Sequence, residues 1–111
     1  MLAAMTPISN RLDPQAAAEM LGPSSPWRVS DARGGILSLD LVFPDFAHAF
    51  AFMTQVALMA EKRDHHPEWS NVHARVSIVL TTHDEGGLTM KDIEMAHGIE
   101  EACARLGGVT R

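Results

Sequence analysis

Leu37, Leu39, Leu41 and Phe43 recur at every second position, with Ser38 and Asp40 interleaved. Period two sends successive side chains to opposite faces of a strand, so one face is apolar and the other polar. A strand of that kind belongs in an antiparallel sheet covered on one side only. Upstream, Trp27 and Val29 alternate with polar neighbours, and Ala32-Arg33-Gly34-Gly35 supplies a turn, so residues 27–43 read as a hairpin. A second alternating run extends from Asn71 to His83. It is expected to put Val72, Ala74, Val76, Ile78 and Leu80 on one face and His73, Arg75, Ser77, Thr81 and His83 on the other. A further short strand is expected near Trp69 or at the Leu41–Phe43 end.

Helical punctuation surrounds these strands. Asp13 before Pro14, with Gly22 and Pro23 beyond, brackets a short helix. A longer helix follows Pro44, capped by Asp45, with Phe46, Phe50, Met53, Ala57 and Ala60 as its expected buried stripe and His48 off that stripe. A last helix opens at Thr89 with Asp92 in a variant of the capping box. Ile93, Ala96, Ile99, Cys103 and Leu106 form its inward stripe, and Gly107-Gly108 ends it. Helix, hairpin, helix, strand region, helix is the order of an α+β two-layer sandwich, an antiparallel sheet with helices packed on one face. Residues 1–12 are expected to be a flexible N-terminal arm, and 13–111 a single domain.

Composition narrows the function classes. A net charge of −5 with no basic run argues against a nucleic-acid footprint. No apolar stretch has the length of a membrane span, and no secretory signal pattern opens the chain. One cysteine, Cys103, excludes an internal disulfide and suits a reducing, cytoplasmic setting. In its Glu-Glu-Ala-Cys-Ala-Arg-Leu context it reads as a small buried hydrophobe.

The chemistry-bearing stretch is Glu61-Lys62-Arg63-Asp64-His65-His66-Pro67-Glu68-Trp69. Proline disfavours helical backbone in the residue before it, so the helix should stop near His66 and adjacent imidazoles should diverge. Glu61 is four residues before His65 and is expected to reach it if the helix persists. His83 ends the second alternating run on its polar face. From residues alone, three readings stay open: solvated loop histidines, acid–base groups, and metal ligands. No Cys cluster or helical HxxxH pair supports the last. Ser70 and Ser77 lack a nucleophile elbow.

The stretch from Glu61 to Ala96 resembles the pterin-4a-carbinolamine dehydratase family. The resemblance rests on Glu61 with His65-His66-Pro67, then Trp69, Asn71-Val72, Thr81-Thr82-His83, Gly87-Leu88 and Asp92-Ile93, and extends over roughly residues 13–106. It implies a four-stranded antiparallel sheet and the dehydration of 4a-hydroxytetrahydrobiopterin to quinonoid dihydropterin, recycling the pterin of aromatic amino-acid hydroxylases. No cofactor or metal is implied. His65, His66 and His83 are the implied catalytic residues, and Glu61, Pro67, Trp69 and Asp92 the supporting or substrate-binding ones; Asp92 is explained equally well by helix capping. His73 and Ser70 stand where the family commonly carries aromatics. The resemblance also implies a homo-oligomer, a dimer or tetramer, for which Met95 and Ala102 offer a second apolar strip on the last helix. The rival reading is a non-catalytic dimerisation-cofactor module of the same fold.

Overall fold

The computed structural model describes residues 10–111, so residues 1–9 of the expected arm lie outside the described residues. In chain order come α1 (Pro14–Leu21), β1 (Arg28–Ser30), β2 (Ile36–Val42), α2 (Phe46–Arg63), β3 (Glu68–Val72), β4 (Arg75–Leu80), α3 (Met90–Arg105) and β5 (Val109–Thr110). The sheet runs β1-β2-β4-β3, antiparallel throughout, and the short β5 pairs with the end of β2. The expected α+β sandwich with a four-stranded antiparallel path is therefore present, with β5 as an unexpected addition.

Register builds the core. Leu37 faces Leu80, Leu39 faces Ile78 and Leu41 faces Val76 across β2 and β4, and all are buried. Burying each such side chain contributes about 2 kcal/mol of transfer free energy. Truncating Leu39 to alanine costs about 3 kcal/mol once its cavity is counted. On the outer face Asp40 accepts from Arg28 Nη2 at 2.8 Å. The Ser77 hydroxyl, then Arg28, holds the Asp40 carboxyl below the usual carboxylate range.

Capping follows the sequence. Asp13 accepts from the Gln15 N–H, Asp45 from the His48 N–H, and Thr89 with Asp92 forms a reciprocal capping box. Leu12 is already tied in, its N–H donating to the Leu88 carbonyl at 2.6 Å.

Three expectations are corrected. The run from Asn71 to His83 is not one strand: Val72 pairs with Arg75 around a two-residue turn at His73 and Ala74, and β3 is the short strand expected near Trp69. His73 takes φ +52°, and Asn71 Nδ2 clasps the turn through the carbonyls of His73 and Arg75. Pairing 72 with 75 reverses the parity that a continuous strand would keep, so Val72 faces solvent.

On α2 the buried stripe is Ala49, Phe52, Val56 and Ala60, with Met53 and Met59 packed beside it. Phe46 and Phe50 are 54% and 57% exposed, and Ala57 faces solvent too. Both stripes have helical spacing. Alanine at 49 and 60 lets the helix lie close to the sheet, while Phe52 stacks on Phe43 at 4.8 Å and fills the gap.

On α3, Met95 and Ala102 are fully buried within the chain, alongside the expected Ile93, Ala96, Ile99 and Cys103. They are not a second strip facing outward. Helix α3 packs its apolar side into the core against α1 and α2 and leaves Lys91, Glu94, His97 and Glu101 to solvent, so Met95 and Ala102 belong to the monomer's own core.

Candidate active site

Antiparallel pairing of Glu68 with Val79 brings the residues just before β3 and those just after β4 to one end of the sheet. His65–Pro67 and Thr81–His83 meet there. How the first group arrives depends on Asp64, which adopts left-handed backbone (φ 51°, ψ 45°) with its N–H on the Ala60 carbonyl. His65 N–H also returns to Ala60 at 3.0 Å. The helix is thereby closed and the chain leaves it in a new direction. His65 turns into the protein, and His66 turns out.

His65 Nε2 lies 2.6 Å from Asp92 Oδ1, with side-chain exposures of 9% and 0%. Asp92 Oδ2 accepts from the Thr82 hydroxyl at 2.8 Å and from the Thr89 N–H at 3.0 Å. Donors on both oxygens, at the amino end of a helix, are what a buried carboxylate needs to offset its lost hydration. An acceptor on Nε2 requires the proton there, so the neutral ring keeps Nδ1 as its acceptor. Asp92 is therefore the expected helix cap and, in addition, the partner of His65, a contact that had been expected of Glu61.

His66 Nε2 lies 2.6 Å from Glu61 Oε1, and this pair is open to water, with exposures of 54% and 78%. The expected Glu61–His65 contact is not formed. Had α2 continued, positions 61 and 65 would have stacked; the left-handed Asp64 re-aims the chain, and Glu61 meets the next residue instead.

His83 opens a short 3-10 turn, His83–Glu85, inside a loop closed by Thr82 and Gly87, whose backbones bond at 2.9 and 3.3 Å. It lines a cavity of about 350 Å³ with Arg33, Thr81, Gly86 and Gly87. The β1–β2 turn forms the cavity's other wall, anchored by Thr81 Oγ1 donating to the Gly35 carbonyl at 2.7 Å. Backbone meets backbone here: a Cβ on Gly34 would collide with the Gly86 carbonyl, and one on Gly87 with the Gly34 carbonyl. Arg33 reaches from that turn to Glu68 through two bonds of 2.9 and 2.7 Å. Its guanidinium, with a smaller contribution from His83, holds the Glu68 carboxyl below the usual range.

Pro67 and Trp69 are half-buried at the start of β3, and Trp69 packs against the core. Thus His65 joins Asp92, His66 joins Glu61, and His83 stands apart from both carboxylates on the neighbouring loop. Thr82, Thr89, Arg33 and Glu68 were missed. Thr82 carried a signal: it continues the inward phase of Val76, Ile78 and Leu80, and a hydroxyl on the core phase implies a partner. The Arg33–Glu68 clasp carried none, because turn and strand are 35 residues apart.

Fold and site define a two-layer α+β domain presenting consecutive carboxylate-bound imidazoles at a sheet end. The family model for pterin 4 alpha carbinolamine dehydratase matches residues 10–102. This chain belongs to that family. A protein of Bradyrhizobium sp. (strain ORS 278), provisionally named pterin-4-alpha-carbinolamine dehydratase, is 51% identical over 98 residues, 88% of this chain and 97% of its own. The crystal structure of a transcriptional coactivator/pterin dehydratase from Brucella melitensis is 43% identical, covers 84% of this chain and 98% of its own, and superimposes with a TM-score of 0.77. A pterin dehydratase-like protein identified as a RuBisCO assembly factor in the alpha-carboxysome shares the fold, with a TM-score of 0.60 at 20% identity over 71% of this chain and 90% of its own.

Proposed function

We propose that this chain dehydrates 4a-hydroxytetrahydropterin, as the family does, to quinonoid dihydropterin and water. The observation that carries the reading is the pair of consecutive imidazoles, each with Nε2 on a carboxylate. The reaction breaks the C4a–O bond and removes a ring N–H proton, whose electron pair forms the new C=N bond. The departing hydroxyl leaves as water once it receives a proton. Groups titrating near neutrality do both transfers well, each for about 10²–10⁴-fold. His65 and His66 carry the proton transfers, and His83 holds or polarises the pterin from the facing loop. Glu61 and Asp92 orient the first two rings, while Pro67 and Trp69 shape the approach. Among the described residues no helix is long and apolar enough to cross a membrane, and the buried free thiol of Cys103 suits a cytoplasmic enzyme. The test is the rate of quinonoid dihydropterin formation from freshly generated carbinolamine. Acceleration by the protein that survives exhaustive chelation supports the reading; no acceleration defeats it.

A second observation bears on the homo-oligomer that the same family resemblance implies. Helix α2 exposes Phe46 and Phe50, whose rings lie 5.8 Å apart, and Leu58 at 68% exposure. Such a stripe is an association surface. We assign it to a second copy of the chain, so the homo-oligomer, dimer or tetramer, is built on α2 rather than α3. Sedimentation of Phe46→Glu with Phe50→Glu tests this against wild type: a lighter species for the variant supports it, while a 12.1 kDa wild-type species overturns it.

A further inference from the structure

We propose that Thr82 is a positioning residue for the proposed catalytic pair, its hydroxyl fixing the one orientation of the Asp92 carboxylate that puts Oδ1 on His65 Nε2. A carboxylate can only accept, so the single Thr82 hydrogen goes to Asp92 Oδ2 at 2.8 Å. In the 2.7 Å contact between the hydroxyls of Thr82 and Thr89, Thr89 must then be the donor. Thr89 Oγ1 in turn accepts from the Lys91 N–H at 3.2 Å. Every bond in the chain from Lys91 to Asp92 points the same way, and none can turn without breaking its neighbour. Asp92 is held from behind by two donors on Oδ2, which leaves Oδ1 to receive His65.

The residue type supports the same conclusion. Thr82 is buried, 6% exposed, on the inward phase of its strand end, where valine would fill the same volume with no polar group to satisfy. A hydroxyl there is retained against that cost by what it bonds. Its loss would leave Oδ2 with the Thr89 N–H as its one remaining donor, loosening the carboxylate and with it the bond that keeps the His65 proton on Nε2. Nδ1 would then be the accepting nitrogen only part of the time.

The kinetic arm rests on the dehydratase reading; the spectroscopic arm does not. In wild type, the nitrogen-15 spectrum of the His65 ring is expected to show a single Nε2–H tautomer in its neutral form. A wild-type Nδ1–H tautomer overturns the proposal, whether or not the protein is a dehydratase. Thr82→Val, if folded, mixes the tautomers and lowers kcat by about tenfold with KM little changed. Thr82→Ser, which keeps the hydroxyl, restores both signatures. A folded Thr82→Val with wild-type tautomer and kcat, or a Thr82→Ser as impaired as Thr82→Val, refutes the assignment. If wild type shows no turnover while the tautomer pattern behaves as stated, the dehydratase reading fails and the positioning role of Thr82 stands.

Discussion

The two histidine–carboxylate pairs have the same heavy-atom distance, 2.6 Å, and opposite surroundings. His65–Asp92 is enclosed by three elements and backed by two threonines, whereas His66–Glu61 spans one helix end in open water. An exposed pair of this kind contributes little to stability, because water competes and side-chain entropy opposes it. A buried pair is different: removing one member strands the other without solvent, so the loss greatly exceeds the pair's net worth. Consecutive residues have thus been assigned to two regimes by one left-handed residue, Asp64. In the proposed reaction the buried ring keeps a fixed tautomer, and the exposed ring exchanges protons freely with solvent.

The largest expected effect breaks the buried side. Asp92→Ala should destabilise the fold by about 3 kcal/mol, measured by urea denaturation, because it strands His65 and removes a cap. The matching change on the open side, Glu61→Ala, should leave the denaturation midpoint almost unmoved, as exposed pairs do. Equal losses from the two changes would erase the distinction drawn here. Next comes chemistry without stability: His66→Ala should lower kcat/KM by about 10²-fold or more with an unchanged midpoint.

The smallest effect concerns the neighbouring clasp. The Glu68 carboxyl titrates below its ordinary value because of Arg33. A depressed carboxylate adds stability above its unfolded pKa, and that contribution is lost as pH falls through the folded value. Arg33→Ala should therefore lower Tm slightly at neutral pH, less so in high salt, and the gap should close in acid. A gap that widens in acid would contradict the assignment.

Much of this was legible in the residues. Period two over Leu37–Phe43 specified the sheet and its covered face, and the Asp13, Asp45 and Thr89 caps set helix starts that the structure keeps. Parity failed where a hairpin turn at His73 restarts the alternation, which a single run of alternating residues cannot reveal. Helical spacing offered α2 two stripes that share Ala60; Ala60 is buried and Met53 packs on the core as expected, but side-chain size pointed to Phe46 and Phe50, whereas the buried side is the one on which Ala49 lets the helix approach the sheet. At the site, the residue types were readable, but the pairing of Glu61 with His66 was not, because it turns on the backbone sign of Asp64. The role of Asp92 was readable only by half, since capping and histidine contact use different oxygens of one carboxylate.

The most direct test of the central claim compares four histidines by one assay, quinonoid dihydropterin formation from the carbinolamine. His48 and His97 are exposed on α2 and α3, outside the sheet-end site. Loss of about 10²-fold in kcat/KM for His65→Ala and His66→Ala, with His48→Ala and His97→Ala near wild type, is the predicted result. Four variants of equal activity would contradict the account.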